Sequence, residues 1–412
     1  MQQGLKENWK QFTLLVIINA FVGGMVGLER SILPALAQTK FGVEGHYAIL
    51  SFIIAFGSVK ATSNYLAGKF AKSFRRKSIL LAGWVFGMPV PALLIFATSW
   101  DMVIVANIFL GINQGLAWSS TVLMKIDLVG EKDRGFAMGL NEFAGYLAVS
   151  IMAFVSGWIA TEYGLHPYPF YAGIFLVTGG FLLSWLLVKD TTLLARTEKN
   201  QAHTVALKKI FSDTTWRHRN LGSITQAGFV NNLNDALAWG VIPIWMSQHQ
   251  FSLYDISLVA AVYPAFWGIG QLFTGRLADK FCKKNILAYG MLLQAMALFL
   301  FPFMNNLAFL LVMASLLGIG TALVYPTFLA GIAENTTVED RPESIGIFRF
   351  WRDSGYVAGG LIAAMAATWF GLGFSIVLTA AITLLSSIIL MVRMNCPVIT
   401  KNTGINNIIV PV

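Results

Sequence analysis

The chain has 412 residues, 56% of them hydrophobic and only 12% charged, with a formal net charge of +9. Soluble domains carry about 25% charged residues, so this chain has about half the charge that a soluble surface of its size requires. With apolar runs of bilayer-spanning length, this excludes a soluble enzyme, a disordered chain and a nucleic-acid binder.

Apolar runs bounded by charge, Gly or Pro occupy 12–37, 46–66, 78–97, 102–124, 136–160 and 170–188. After a polar stretch they resume at 221–246, 256–273, 285–304, 307–330, 344–368 and 373–392. The first run follows a polar segment containing Lys6 and Lys10; it is too long for a signal-peptide core and is read as the first membrane helix. The fold class is therefore an all-α membrane protein with twelve transmembrane helices. The expected division is a six-helix unit at 1–188, a linker loop at 189–220 and a second six-helix unit at 221–412.

Twelve spans put both ends on one side. The loops after even-numbered spans hold Lys69, Lys72, Arg75, Arg76 and Lys77, then Lys125, Lys132 and Arg134, the 189–220 segment, Arg276, Lys280, Lys283 and Lys284, and Arg341. The opposite loops offer little beyond Lys40. By the positive-inside rule the basic side and both ends are cytoplasmic, and the expected location is a bacterial inner membrane. Cys282 and Cys396 are the two cysteines. Both fall on the basic side, where neither a structural disulfide nor a cysteine metal site is expected.

An offset of 207 brings the halves into register. It lays Gly68–Lys77 on Gly275–Lys284, Leu110-Gly111-Ile112 on Leu317-Gly318-Ile319, Trp118 on Tyr325, and Asp133-Arg134 on Asp340-Arg341. In span one, LERSILP (28–34) meets LAWGVIP (237–243) at an offset of 209. Duplication of a six-helix unit gives two bundles related by a pseudo-two-fold axis along the membrane normal.

On these residues the chain resembles the major facilitator superfamily along nearly its whole length. The family's loop between spans two and three has the form Gly-x-Leu-Ala-Asp-Arg-x-Gly-Arg-Arg-Lys and is often echoed between spans eight and nine. The second copy here keeps Gly275, Leu277, Ala278, Asp279, Lys280, Lys283 and Lys284. The first keeps Gly68, Ala71, Arg76 and Lys77, with Lys72 at the acidic position. The resemblance implies a cytoplasmic gate at Gly68, Arg76, Lys77, Gly275, Asp279 and Lys284, flanked by Arg134, Glu142 and Arg341. It also implies that spans one, four, seven and ten line a central cavity. Two features depart from the family's drug–proton antiporters: Asn107 stands in span four where they usually have Arg, and span five reads Gly139-Leu-Asn-Glu-Phe-Ala-Gly145 without their Gly-Pro pair.

Eight ionisable residues lie within the spans: Glu29, Arg30, Lys60, Glu142, Asp235, Arg349, Arg352 and Asp353. Each costs about 2.5–3.5 kcal/mol in the middle of a membrane helix. The sum, about 20 kcal/mol, exceeds the roughly 5–15 kcal/mol net stability of a fold, so they face the protein interior or a hydrated cavity. Arg349, Arg352, Asp353 and Tyr356 share one helix face, and Arg349 can pair with Asp353 one turn away. A purely structural ion pair is the competing reading there. Asn231, Asn232, Asn234 and Asp235 cluster in span seven, where interhelical hydrogen bonding is the alternative to ligand binding. Asp235 is the first choice for a proton carrier, since a neutral carboxyl passes through a conformational switch without a charge penalty. Lys60 and Asn64 offer a partner for Glu29. Glu142 can reach Arg134. Trp118 and Tyr325, repeat-equivalent residues in cavity-lining spans, are the best aromatic candidates.

These residues point to a secondary active transporter of a small organic solute, with proton coupling expected and a lean to export of amphipathic or toxic compounds. Uptake of an organic anion, resting on Arg30, Lys60, Arg349 and Arg352, is the alternative; a non-transporting receptor or sensor is a third. No Walker loop, His-Glu-x-x-His or Gly-x-Ser-x-Gly is present, and His46, His166, His203, His218 and His249 all lie away from span centres. An enzyme is not expected, nor is a cofactor or metal. The expected partners are the solute, protons and the lipid bilayer, with the chain a monomer.

Overall fold

The computed structural model describes residues 3–70, 73–129, 134–197, 209–337 and 340–396. Twelve long helices run through them. We label these α1 (Leu5–Thr39), α2 (His46–Phe70), α3 (Arg76–Ile95), α4 (Trp100–Val129), α5 (Arg134–Tyr163), α6 (Tyr168–Leu187), α7 (219–248), α8 (Leu253–Lys280), α9 (Lys283–Phe303), α10 (Leu307–Glu334), α11 (Arg341–Phe370) and α12 (Leu372–Arg393). Ten of them are long and apolar enough to cross a bilayer. The other two, α7 and α11, are the helices in which the sequence concentrates its polar residues. Both are about 30 residues long, and at 1.5 Å per residue a helix of that length exceeds the roughly 30 Å hydrocarbon core.

Helix starts and breaks follow local chemistry. Ser252 and Asp255 form a reciprocal capping box at the start of α8, and the Asn306 side chain accepts from the Phe309 N–H at the start of α10. α1 is interrupted by a turn at Ser31–Ile32, just before Pro34. α7 has a π turn at Leu237–Val241, just before Pro243. Proline lacks the N–H that would close the preceding helical turn, so the two repeat-equivalent segments break at matching heights.

Packing repeats in the two halves. α1 lies on α5 and α6, α4 on α2 and α3, and α3 on α6. In the same pattern α7 lies on α11 and α12, α10 on α8 and α9, and α9 on α12. Two helix pairs, α2 with α11 and α5 with α8, join the halves. Small residues bring the helices together: Gly23 and Gly27 seat α1 against the α5 backbone, and Gly355 and Gly359 seat α11 against that of α7. On the side opposite the basic loops, the ends of α1 and α7 touch.

Two expectations are corrected. Cys282 and Cys396 form a disulfide with Cα atoms 5.7 Å apart. The packing of α12 along α9 brings the loop before α9 beside the segment after α12. Lys125, read as a loop residue, lies inside α4 and is fully buried, because α4 continues a full turn beyond the apolar run.

Candidate functional site

The buried polar residues gather into three connected groups. The largest centres on Asp353 of α11, which has no solvent exposure. Its Oδ1 accepts from Arg352 Nη2 at 2.7 Å and Nε at 3.0 Å, and from Asn232 Nδ2 at 3.0 Å. Lys60 Nζ lies 3.8 Å from the same oxygen, and Asn64 Nδ2 donates to Oδ2. Arg352 Nη1 reaches Tyr325 Oη at 2.5 Å. Ser119 Oγ donates to Asn64 Oδ1 at 2.7 Å and accepts from Arg349 Nη1 at 3.2 Å. One carboxylate thus connects α2, α4, α7, α10 and α11.

These contacts replace several pairings that the sequence suggested. Lys60 pairs with Asp353, and Glu29 Oε2 instead accepts from Asn107 Nδ2 at 2.8 Å. Arg349 bonds Ser119, while the adjacent Arg352 holds Asp353. Neighbouring residues point about 100° apart on a helix, but the arginine side chain is long enough to fold back across that angle.

The second group surrounds Asp235. Tyr263 donates to its Oδ1 and Tyr356 to its Oδ2, the latter at 3.1 Å. Tyr263 also meets Thr321 Oγ1 at 3.3 Å. The third group lies nearer the basic loops. Glu142 Oε1 accepts from Asn141 Nδ2 at 2.7 Å and Trp118 Nε1 at 3.2 Å. Lys125 Nζ donates to Asn141 Oδ1 and to the Leu15 carbonyl, the latter at 3.1 Å. Asn231 links the first group to a further network: its Nδ2 donates to Asn232 at 3.5 Å, while Gln294 of α9 donates to its Oδ1 at 3.1 Å and accepts from Asn234, which in turn accepts from Thr383 of α12.

Aromatic rings link the groups. Trp118 packs on Tyr146 at 5.3 Å, Tyr146 stacks on Trp267 at 3.4 Å, and Trp267 meets Tyr263 and Tyr325, each at 5.8 Å. Trp239 stacks on Tyr356 at 6.1 Å and meets Tyr263 at 6.2 Å. Arg30 enters this belt from α1, with its guanidinium 4.4 Å from the Phe56 ring centre and 5.0 Å from that of Trp239.

Residual accessibility is small and confined to a few side chains. Arg349 and Lys60 each keep 9% exposure, whereas Glu29, Arg30 and Asp235 keep none. Among the described residues the gate candidates make separate contacts. Arg76 Nε lies 3.4 Å from Asp127 of α4, which also accepts from Thr191. Lys77 Nζ donates to the Trp185 carbonyl at 2.8 Å. Arg341 donates to the Ala333 carbonyl at 3.1 Å, and Lys283, next to Lys284, pairs with Glu334. Gly68 faces open space. The side chains of Arg134 and Asp279, and Gly275, lie outside the described detail.

Sequence reasoning missed Lys125, Tyr263 and Asp127. Tyr263 was signalled by the repeat, since the 207 offset lays it on Phe56, another ring of the same belt.

Two six-helix bundles enclosing a buried ionisable interior define a secondary transporter, a carrier and not an enzyme. The sequence profile of the Major Facilitator Superfamily matches residues 13–222 and 224–404, and the chain belongs to that family. It is 22% identical over 398 residues to the multidrug resistance protein MdtG of Serratia proteamaculans (strain 568), covering 92% of this chain and 93% of that one. MdtG of Salmonella typhi is also 22% identical, with 92% and 95% covered. Among solved structures, the human organic anion transporter MFSD10 (TETRAN) superposes with a TM-score of 0.72 at 16% identity, covering 92% of this chain and 99% of that one. A bacterial homologue of the lysosomal transporter Spinster, inward-facing, gives 0.70 at 12% identity, with 94% and 96% covered. At these identities the structures establish a shared fold.

Proposed function

We propose that the protein is a proton-coupled exporter of small amphipathic compounds in a bacterial cytoplasmic membrane, with both ends cytoplasmic. The unit 1–188 rocks against 221–412, with 189–220 as the tether. The observation that carries this reading is the contrast between its two central aspartates. Protonating Asp353 would strand Arg352 and Lys60 without their counter-ion. Asp235 is equally buried, but both of its hydrogen-bond donors among the described residues are neutral tyrosine hydroxyls. It can gain or lose a proton without breaking a salt bridge among the described residues. The aromatic belt beside it supplies the apolar, polarisable wall that an amphipathic solute needs. The name of the MdtG relatives agrees with the lean to export.

The test begins with a thermal-shift screen of amphipathic dyes and drugs on purified protein. Hits are then assayed in proteoliposomes under an imposed pH gradient, with a luminal pH dye. Asp235→Asn should retain binding and solute exchange at equal pH, while gradient-driven accumulation falls at least tenfold. Accumulation that ignores the gradient, or survives Asp235→Asn unchanged, overturns proton coupling through this residue.

A further inference from the structure

The buried cations differ in one respect. Lys60 has Asp353, Arg352 has Asp353 and Tyr325, Arg349 has Ser119, and Lys125 has Asn141 and the Leu15 carbonyl. Arg30 is fully buried, yet its Nε, Nη1 and Nη2 have no hydrogen-bond acceptor among the described residues. Its neighbour Glu29 gives Oε2 to Asn107, and its Oε1 likewise has no hydrogen-bond partner among the described residues. Phe52, Phe56 and Trp239 surround the guanidinium at 5.9, 4.4 and 5.0 Å. These ring faces stabilise the positive charge but use none of the five N–H donors. Leaving such donors unpaired in a buried place is costly, and a planar guanidinium is the shape that grips a carboxylate, sulfonate or phosphate through two parallel bonds.

A second unsatisfied donor stands beside it. The Trp239 Nε1 is buried without a hydrogen-bond partner among the described residues. The Trp239 ring also lines a narrow apolar crevice between α7, α8, α9 and α10, whose other walls include Ile242, Met246, Ile256, Tyr263 and Phe301. Cation, indole N–H and apolar crevice therefore share one side chain.

We propose that Arg30, with the Trp239 indole N–H, receives the anionic head group of an amphipathic organic solute whose apolar body enters along this crevice as the two units rock apart. The proposal rests on the carrier reading above and names its substrate class. It joins the two chemistries, amphipathic and anionic, that the sequence left as alternatives. It also divides the basic residues: Arg30 serves the solute, whereas Lys60, Arg349 and Arg352 serve the protein's own oxygens.

The probes are 2-naphthoate, naphthalene-2-sulfonate and 2-naphthyl phosphate, against neutral 2-naphthamide, read by thermal shift and equilibrium binding on the full chain. The three anions should include at least one that stabilises saturably where the amide does not. Arg30→Gln should weaken that anion at least tenfold. Arg30→Lys, which keeps the charge but loses the fork, should fall between. Without ligand, Arg30→Met should melt close to the wild-type temperature, because no hydrogen bond is lost and the thioether keeps contact with the three rings; an arginine held by internal bonds would give a much lower one.

The proposal is overturned if amide and anions bind alike, if no anion binds, or if Arg30→Gln leaves anion affinity unchanged. It is also overturned if Arg30→Met melts well below wild type. Protection by phosphatidylglycerol vesicles that needs Arg30, with no effect of the soluble anions, would assign the group to a lipid and likewise overturn it. Gradient-driven transport that needs Asp235 but shows no anion preference leaves the exporter reading standing and removes this one. Arg30-dependent anion binding without any transport does the reverse.

Discussion

The two seams that join the halves are related by the internal repeat, yet they are built from opposite chemistry. Along α2 and α11 the contact is ionic: Lys60, Asn64, Arg352 and Asp353 form a buried hydrogen-bonded cluster. Along α5 and α8 it is aromatic and close-packed, with Tyr146 stacked on Trp267. The 207 offset lays Lys60 on Trp267, Tyr146 on Asp353, Asn64 on Gln271 and Gly145 on Arg352, so the charges of one seam correspond to rings or a glycine in the other. A stacked pair can slide with little change in energy, whereas a desolvated ion cluster opens only if water or ligand replaces its bonds. The difference suggests a division of labour, in which the aromatic seam acts as a bearing and the ionic seam as a latch.

The sharpest way to break this contrast is to remove the centre of the latch. Asp353→Ala leaves Arg352 and Lys60 buried without a counter-ion, and we expect a loss of about 3–5 kcal/mol in the thermal stability of the purified protein. Adding Lys60→Met should recover part of it; an unchanged melting temperature in the single variant would remove the latch. Crowding the same seam should cost less. A Cβ added at Gly57 would lie 2.4 Å from the Tyr356 Cβ, so Gly57→Ala should cost about 1–3 kcal/mol. In the other seam a Cβ at Gly268 meets backbone atoms no closer than 3.2 Å, and Gly268→Ala should melt nearer to wild type. Trp267→Leu should cost about 0.5–1.5 kcal/mol in lost ring contact beyond its buried area. Its larger effect should be on transport rate, since a bearing is felt in motion more than at rest.

The smallest effect lies outside the membrane and serves as a baseline for both seams. Burial pushes the Asp190 carboxyl up, but the N–H groups of Lys77 and Thr192, the Thr192 hydroxyl and the charge of Arg75 outweigh it, holding the group below the usual carboxylate range. A depressed folded-state value means that its stabilising contribution is present above an unfolded value of about 3.9. That contribution is lost as the pH falls through the folded value. Asp190→Asn should therefore melt slightly below wild type at neutral pH and converge on it well below about pH 4, which flattens the acid limb of the melting-temperature profile.

Much of the architecture was legible because it follows from length and hydropathy. Twelve runs, a 207-residue repeat and an uneven distribution of basic residues suffice for the helices and their duplication. The membership of the charged cluster was also readable, since eight ionisable groups cannot all face lipid. Their pairing was not. Whether Lys60 meets Glu29 or Asp353 depends on how α2 is rotated against α1 and α11, and on side chains long enough to reach either. Lys125 escaped notice because a lysine at the end of an apolar run looks like a boundary, while the helix continues. The disulfide was missed for a related reason: the two cysteines are 114 residues apart, and only the packing of α12 along α9 brings them together.

The interruptions before Pro34 and Pro243 reach further than local geometry. Each leaves the distal portion of its helix attached through an elbow, and those two distal portions are the ones that touch on the side away from the basic loops. The far entrance can therefore act as a pair of shutters, swinging on hinges while the bundles behind them hold still. Spin labels at positions 38 and 248 should report a closed pair that spreads on ligand binding, and replacing Pro34 and Pro243 with alanine should stiffen the swing. Arg30 sits at one elbow and Trp239 at the other, so the solute we assign to them would have its hand directly on both hinges.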